Sequence, residues 1–342
     1  MESGFEPVRW GVLSTAKIGR EKVIPAIQRG RMCNVVAIAS RDLDRAKQVA
    51  TDLKIPKAYG SYEELLADPE IEAIYNPLPN HLHVPWSAKA AKAGKHVLCE
   101  KPLALTAEEA QTLIAVRDRT GQVIEEAFMV RHHPQWRRVR ELIREGRIGR
   151  LRATQGFFSY TNLDPANIRN RADIGGGGIY DIGCYPITTS RFVFEAEPNR
   201  VMALIERDPE MKTDRLATAI LDFDEGQASF VCSTQLVPYQ RMQVFGTAGR
   251  IEVEIPFNAP SDRPCQVFVD DGSGAPSTSS AVIETFETMD QYTAQGDDFS
   301  MAVRTGEPLE FPVENAVCNV RILDALFRSG ESGQWERVEA TA

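Results

Sequence analysis

The first 128 residues alternate short apolar runs with segments of helical spacing, and this alternation constrains the fold more than any other feature. The apolar runs are VRWGVL, NVVAIAS, IEAIYNPLP, KHVLCE and QVIEEAFM, which start at residues 8, 34, 71, 95 and 122. Segments with helical spacing lie between them, at 18–30, 42–53, 83–94 and 106–121. Thr106 and Gly121 suit the two ends of the last segment. Strands that alternate with helices across short connections predict an α/β fold with a doubly wound parallel sheet.

The pattern changes near residue 130. A helical segment at 134–146 is followed by RLRATQGFFSY at 150–160 and, from residue 200, by short alternating strands separated by turn signals. Such a series predicts a mainly antiparallel sheet, and two further helices are expected near 288–304 and 314–328. Because 342 residues exceed one typical core, we predict one domain at 1–128 and a second, α+β domain at 129–342.

Composition argues against several classes of partner. The net charge of −9 and the pI near 5.3 disfavour a protein that binds nucleic acid. The six cysteines are widely spaced and include no CxxC pair, which is typical of reduced core residues in a cytoplasmic protein. The N-terminus lacks the pattern of a signal peptide. No apolar run approaches the ~18 residues of a membrane-spanning helix, so no membrane partner is expected.

The stretch GVLSTAKIG, residues 11–19, ends the first strand and opens the first helix, where a dinucleotide fingerprint belongs. Ser14, Ala16 and Gly19 occupy the three glycine places of G-x-G-x-x-G. Small residues let the backbone approach a pyrophosphate, and the helix N-terminus supplies N–H donors. An ordinary strand–turn–helix has a similar sequence, so the motif alone is weak. We assign these residues to cofactor binding: Gly11, Ser14, Thr15, Ala16, Lys17, Ile18 and Gly19.

The end of the second strand indicates which dinucleotide binds. NAD-binding folds place an acidic residue about 20 positions beyond the glycines, where it holds the ribose 2′-hydroxyl. Ser40 and Arg41 stand at this place, and a hydroxyl beside a guanidinium suits a 2′-phosphate. We therefore predict a Rossmann domain that prefers NADP to NAD. In the competing interpretation Asp42 binds the ribose, although Asp42 also fits as the N-cap of the next helix.

The run HVLCEKPLAL, residues 96–105, ends an apolar strand with a glutamate, a lysine and a proline. Ligands of open α/β sheets bind at the carboxyl ends of strands, which is where Lys101 lies. Pro102 fixes the turn, and Glu100 has little reason to end an apolar strand. We predict that Lys101 is delivered to a reaction centre. The alternative is a surface lysine in a turn.

A second candidate constellation is DIGGGGIYDIGCYPI, residues 173–187. Its four glycines predict a loop of close approach, and Asp181 and Tyr185 are four residues apart on the helix that follows. A tyrosine hydroxyl, with an unperturbed pKa near 10, is a poor base unless a cation stabilises the phenolate. Lys101 would supply that cation, and Asp181 would orient either group. The alternative makes Tyr185 a core residue and Asp181 a charge on the helix face.

Four segments together resemble the Gfo/Idh/MocA oxidoreductases. They are AIYNPLPNHLHVPWSAKAAKAGKHVLCEKPLAL, EEAFMVRHHPQ, GGGGIYDIGCYPI and GTAGRIEVEIPF. The likeness runs from the first strand through the second domain, and E-K-P followed later by D-x-x-x-Y is specific. The most similar branch contains NADP-dependent D-xylose dehydrogenases, dimeric dihydrodiol dehydrogenases and glucose–fructose oxidoreductase. The resemblance implies a nucleotide-binding domain followed by a domain with a large, mainly antiparallel sheet, often used as a dimer face.

The resemblance also implies roles for individual residues. The catalytic positions of the family fall on Lys101, Asp181 and Tyr185. Besides Ser40 and Arg41, the cofactor would be lined by Asn76, Pro77, Leu78, Asn80, His83, Glu100 and Lys101. Substrate would be contacted by Lys101, Asp181, Tyr185 and Arg169, the last within NIRNR at 167–171. His81 and His83 have no further ligand at metal spacing, so no metal site is expected.

The predicted function is an NADP-dependent oxidoreductase acting on a polyhydroxylated small molecule, most simply at C1 of an aldose such as D-xylose, giving the lactone. A homodimer or higher homo-oligomer through the C-terminal sheet is implied by the resemblance. One alternative is a trans-dihydrodiol dehydrogenase, with Phe157, Phe158 and Tyr160 around an aromatic substrate. Others are a non-catalytic nucleotide sensor and a sugar–sugar oxidoreductase that keeps NADP bound.

Overall fold

The computed structural model describes residues 4–273 and 280–339. The chain divides into two compact units. Unit 1 comprises Met1–Met129 and Gln291–Val317, and unit 2 comprises Val130–Asp290 and Cys318–Ala342. The boundary at 128/129 stays a prediction. Unit 1 contains Gln291–Val317 as well as the first part of the chain, and that segment was predicted to belong to the second domain.

Unit 1 contains a six-stranded sheet in which every pairing is parallel. Its strands are β1 (Val8–Leu13), β2 (Cys33–Ala39), β3 (Lys57–Tyr59), β4 (Ala73–Asn76), β5 (His96–Glu100) and β6 (Ile124–Ala127). The order β3-β2-β1-β4-β5-β6 is that of a Rossmann fold, in which the direction of winding reverses between β1 and β4. The predicted doubly wound sheet is confirmed.

Helices connect these strands. They are α1 (Ile24–Ile27), which continues a π-helical turn at Gly19–Val23, α2 (Leu43–Asp52), α3 (Tyr62–Ala67), α4 (His83–Lys92) and α5 (Ala107–Thr120). Thr106 caps α5, since its Oγ1 accepts the backbone N–H of Glu109 at 3.2 Å, and Gly121 ends it in the left-handed region. Short β3 and α3 were not predicted, because three and six residues carry too little periodicity.

Helix α8 (Gln291–Thr305) belongs to unit 1 because its side chains complete the core of that unit. The rings of Trp10 and Phe299 lie 5.1 Å apart, and Nε1 of Trp10 donates to Oγ of Ser300 at 3.2 Å. The carboxylate of Asp297 accepts the backbone N–H of Met32 at 2.8 Å. These contacts link residues between 265 and 290 positions apart in the chain, so the sequence pattern did not reveal them.

Unit 2 is built on a nine-stranded sheet in the order β14-β13-β12-β11-β7-β10-β9-β8-β15. The strands are β7 (Leu151–Thr161), β8 (Arg200–Arg207), β9 (Asp214–Phe223), β10 (Gly226–Ser233), β11 (Gln235–Gly246), β12 (Arg250–Val253), β13 (Cys265–Asp270), β14 (Val282–Phe286) and β15 (Glu336–Arg337). Strands β7 and β10 are parallel and all other pairings are antiparallel. The predicted large, mainly antiparallel sheet is therefore confirmed.

Two helices of unit 2 accompany the sheet, α6 (Pro134–Arg144) and α7 (Cys184–Phe194), and α7 directly continues a π-helical turn at Ile179–Gly183. Helix α9 (Val313–Ser332) starts in unit 1 and ends in unit 2. All six cysteines are free, and five are buried, as predicted for core residues. In the described part of the chain, no helix has the length and apolar character needed to cross a membrane.

Candidate active site

The cofactor residues predicted in unit 1 follow the carboxyl ends of four parallel strands. The 14–19 loop follows β1, Ser40 and Arg41 follow β2, residues 76–83 begin at the end of β4, and Lys101 follows β5. Parallel neighbouring strands end at the same edge of a sheet, so the fold brings these segments to one edge. That edge is where open α/β sheets bind ligands.

The loop after β1 turns through a left-handed residue. Ser14, at the first glycine place, adopts φ 76°, the left-handed conformation that glycine usually provides. Its backbone N–H donates to the Ala39 carbonyl at 2.9 Å, and its Oγ accepts the N–H of Ala16 at 3.2 Å. Gly11 instead lies inside β1, where a Cβ would come within 2.9 Å of the Leu65 side chain. Gly11 therefore allows close packing beneath the loop.

Two arginines lie near the end of β2. Arg45, in the first turn of α2, donates from Nε to Oγ1 of Thr15 at 2.8 Å and so joins α2 to the loop after β1. Arg41 hydrogen-bonds Tyr62 and opposes the rise in the pKa of Tyr62 that burial causes. Asp42 caps α2 by accepting the Arg45 backbone N–H at 3.1 Å. Arg45 lies four residues after Arg41 and was not singled out from the sequence.

The segment after β4 is held together from within. Asn76 is fully buried, and its Nδ2 donates to the His83 carbonyl and to Oγ of Ser87, each at 3.1 Å. His83 is also buried, and its Nε2 lies 2.6 Å from the Leu78 carbonyl. Its Nδ1 lies 2.7 Å from the carbonyl of Pro102. Burial lowers the pKa of His83 to about 4, although both carbonyls favour the proton. His83 thus links the segment after β4 to the segment that contains Lys101.

The turn that presents half-buried Lys101 is fixed on both sides. Before it, Oε1 of Glu100 accepts the hydroxyl of buried Tyr75 at 2.7 Å, which explains why an apolar strand ends in a glutamate. After it, Oε1 of Glu126 accepts the backbone N–H of Leu103 at 2.8 Å. The Lys101–Pro102 peptide bond is cis. Neither Tyr75 nor Glu126 was predicted as a site residue, because both act through contacts distant in sequence.

In unit 2, Asp181 and Tyr185 lie on the helical stretch formed by the π-helical turn and α7. The Oδ2 atom of Asp181 accepts the Tyr160 hydroxyl at 2.6 Å and Nε of Arg169 at 3.0 Å. The predicted acid, the predicted substrate arginine and one of the strand aromatics therefore form a single cluster. Arg169 forms an ion pair with Asp181, whose side chain is 14% exposed, and the contacts from Tyr160 and Arg169 orient the carboxylate.

Tyr185 is 6% exposed and packs on two aromatic rings. The Phe158 and Phe257 centroids each lie 5.6 Å from that of Tyr185, and the two phenylalanine rings stack on each other at 4.9 Å. Aromatic packing of this kind restricts the ring. Lys101 belongs to unit 1 and Tyr185 to unit 2, so their meeting on one substrate stays a prediction. Among the described residues, no group of three His, Cys, Asp or Glu side chains is arranged to hold a metal ion.

Comparison with known proteins gives matches over both units. Residues 8–128 match an oxidoreductase family with an NAD-binding Rossmann fold, and residues 136–252 match the GFO/IDH/MocA C-terminal domain. An uncharacterized oxidoreductase of Rhizobium meliloti is 50% identical over 97% of this chain and 99% of its own. D-xylose 1-dehydrogenase (NADP(+)) 2 of Haloferax volcanii is 38% identical over 95% of this chain and 98% of its own.

A solved structure is similar over nearly the whole chain. The 3-ketoreductase KijD10 of Actinomadura kijaniata, in complex with NADP and TDP-benzene, superimposes with a TM-score of 0.88. It is 30% identical, and the match covers 95% of this chain and 98% of the reductase. Sequence and structure comparisons thus agree on both the order and the type of the two domains.

Proposed function

Because the chain belongs to the Gfo/Idh/MocA oxidoreductase family, we propose that it is an NADP-dependent dehydrogenase that oxidises C1 of an aldose such as D-xylose to the lactone. The proposal rests above all on the placement of Lys101, whose turn at the carboxyl end of β5 is fixed by Glu100, Glu126 and His83. The similarity to a D-xylose 1-dehydrogenase supports the choice of substrate class.

The residues at the edge of the sheet in unit 1 fit NADP. The left-handed turn at Ser14 and the small side chain of Ala16 leave the loop backbone open to a pyrophosphate. Arg41 and Arg45 are exposed, and within the described residues neither guanidinium is paired with a carboxylate. They would hold the 2′-phosphate, because charge-assisted contacts to phosphate favour arginine. When bound, NADP⁺ supplies the acceptor for the hydride that leaves C1.

The chain's own residues would manage the proton. Tyr185 takes the proton of the C1 hydroxyl as the C1–H bond breaks and the C1–O bond becomes a carbonyl. Lys101 stabilises the negative charge that develops on the substrate oxygen and the Tyr185 phenolate. Asp181 holds Lys101 and Tyr185 in place. The orientation of Asp181 is itself set by Tyr160 and Arg169. The sequence predicts that Arg169 contacts the substrate directly. In this scheme Arg169 also acts indirectly, because it orients Asp181.

A sugar is favoured over an aromatic diol because the aromatic residues beside the site are used in packing. Phe157 meets the ring of Tyr239 edge-on at 5.6 Å. Phe158 packs on both Tyr185 and Phe257, and Tyr160 donates to Asp181. Because these rings are already used in packing, the cluster around Asp181 offers a substrate polar groups rather than aromatic faces.

We further propose a cytoplasmic homodimer that forms through the large sheet. Leu204 is 77% exposed and Ile220 is 38% exposed. Both lie on one face, since Met202 pairs with Ile220 and lies two residues from Leu204. Exposed apolar side chains on a sheet face favour an interface. Light scattering should give the mass of a dimer and, for Leu204→Glu, the mass of a monomer. A monomeric unaltered protein would contradict this part.

The proposed activity is tested by following nicotinamide reduction spectrophotometrically with a panel of aldoses and a trans-dihydrodiol, each offered with NADP and with NAD. We expect turnover of at least one aldose, faster with NADP than with NAD. Turnover of the diol alone would move the assignment to the aromatic substrate. Absence of reduction with every compound would contradict the dehydrogenase. Cofactor that co-purifies with the protein would indicate that NADP stays bound between oxidation and reduction.

A further inference from the structure

The start of the helical stretch that carries Asp181 and Tyr185 is held by a carboxylate from another part of unit 2. Asp214, the first residue of β9, is 1% exposed. Its Oδ2 accepts the backbone N–H of Ile179 at 2.6 Å, and the backbone N–H of Gly178 also bonds to it. The first N–H groups of a helix have no partner within the helix. Asp214 supplies that partner from a position 35 residues away in sequence.

The glycine run makes this contact sterically feasible. Gly177 has φ +127°, and a Cβ at that position would lie 1.9 Å from Oδ1 of Asp214. A Cβ at Gly176 would lie 2.6 Å from the carbonyl of Arg169. The same backbone is tied to the substrate loop, since Gly177 donates its N–H to that Arg169 carbonyl at 2.8 Å. The glycines therefore give a tightly fitted connection between Asp214, the Arg169 segment and the helix start.

Burial of the Asp214 carboxyl group reduces the stability of the fold. Burial raises the pKa of Asp214 to about 7, against the opposing effects of the Ile179 and Gly178 N–H groups and of Arg207. A serine or asparagine can cap a helix with less loss of hydration. What the carboxyl adds is the capacity to accept more than one N–H, and that of Asp214 accepts those of two successive residues, Gly178 and Ile179. Asp181 follows Ile179 by two residues, and its own N–H donates to the Gly177 carbonyl at 3.1 Å.

We infer that Asp214 is a positioning residue for the reaction, which fixes the start of the helical stretch and thereby sets where Asp181 and Tyr185 meet the substrate. The inference rests on the proposed function, because it needs Tyr185 to act on substrate. A displacement of about 1 Å at reacting groups can reduce turnover by about 100-fold. Asp214 touches neither substrate nor cofactor in this scheme, and its effect is transmitted through the backbone of residues 177–181.

The experiment compares Asp214→Ala and Asp214→Asn with the unaltered protein. In the alanine variant both N–H groups lose their acceptor, and we expect kcat to fall by at least about tenfold with KM changed much less. The asparagine variant keeps one acceptor oxygen, so its kcat should lie between the two. NADP affinity should be unchanged in both. Hydrogen exchange of residues 176–183 should be faster in both variants, which reports the anchor independently of activity.

Asp270→Asn is the matched control. Asp270 is also buried, and its Oδ1 accepts a backbone N–H, that of Gly272 at 2.8 Å, while its Oδ2 is paired with Arg250 at 3.1 Å. It lies on β13, five positions from β9 in the strand order. Its loss should leave kcat unchanged. An Asp214 variant with unaltered kcat would overturn the inference, as would an Asp270→Asn that lowers kcat equally. If Asp214→Ala does not fold, the kcat and the hydrogen exchange of residues 176–183 are measured in Asp214→Asn and decide the question.

Tyr185→Phe, assayed in parallel, separates this inference from the proposed function. Full turnover by Tyr185→Phe would overturn the proposed chemistry itself. Loss of turnover in Tyr185→Phe together with unaltered turnover in both Asp214 variants would overturn only the positioning role.

Discussion

Replacing Tyr185 by phenylalanine should remove the chemistry and keep the fold. The ring of Tyr185 packs on Phe158 and Phe257 at 5.6 Å, and a phenylalanine ring occupies the same place. Only one hydroxyl is lost, so the free energy of unfolding should change by no more than about 1.5 kcal/mol. The loss of a general base typically costs about 10²- to 10⁴-fold in rate, which corresponds to about 3–5 kcal/mol of transition-state stabilisation.

The assay is steady-state reduction of NADP with the best aldose of the panel, accompanied by urea denaturation and NADP titration. We expect kcat to fall within that range while NADP affinity and the urea midpoint stay close to those of the unaltered protein. Tyr239→Phe is the control, since Tyr239 is a 48%-exposed tyrosine of the same unit whose hydroxyl accepts a long 3.4 Å hydrogen bond from Arg241. If kcat of Tyr185→Phe stays within about threefold of the unaltered value, far below the loss expected for a general base, the reasoning is refuted.

Three further predictions concern the cofactor, the lysine and the buried acid. Arg41→Ala should weaken NADP binding by about 10- to 150-fold, the value of one lost charge-assisted contact, while NAD binding stays unchanged; calorimetric titration that shows equal losses for both would contradict a 2′-phosphate contact. Lys101→Ala should lower kcat by about 10²-fold or more with NADP affinity nearly intact, and full turnover in this variant would end its catalytic assignment. Because burial raises the pKa of Asp214 from 3.8 to about 7, the folded protein holds this proton more tightly than the unfolded chain. The resulting stabilisation is complete below pH ~4 and is lost as the pH rises through ~7. Relative to Asp214→Asn, the unaltered protein should therefore lose about 4 kcal/mol of unfolding free energy between pH ~4 and pH ~8, and a pH-independent difference in urea denaturation would contradict the buried acid.

The elements that the sequence predicted correctly are those with a local signal. The α5 caps at Thr106 and Gly121 follow from residue types at fixed offsets. The strand that ends at Glu100 followed from its apolar run, and the parallel sheet followed from the spacing of such runs. Each of these inferences uses interactions within a few residues, which is the range over which periodicity and capping operate.

The contacts that shape the candidate site are non-local and were missed for that reason. Glu100 is bonded by Tyr75, 25 residues earlier, and Ile179 donates to Asp214, 35 residues later. Tyr160 was considered only as an aromatic contact for a dihydrodiol, yet its hydroxyl is the donor to Asp181. A hydrogen bond between distant strands leaves no period in the sequence, so only the fold shows which of several polar residues are partners.

The central claim is that Lys101 and Tyr185 act on the same substrate hydroxyl. A crystal structure of the protein with NADP and an unreactive sugar analogue tests it most directly. We expect Nζ of Lys101 and the Tyr185 hydroxyl both to lie within about 2.6–3.2 Å of one sugar oxygen. A complex in which the sugar contacts only one of these side chains, with the other directed elsewhere, would contradict the account.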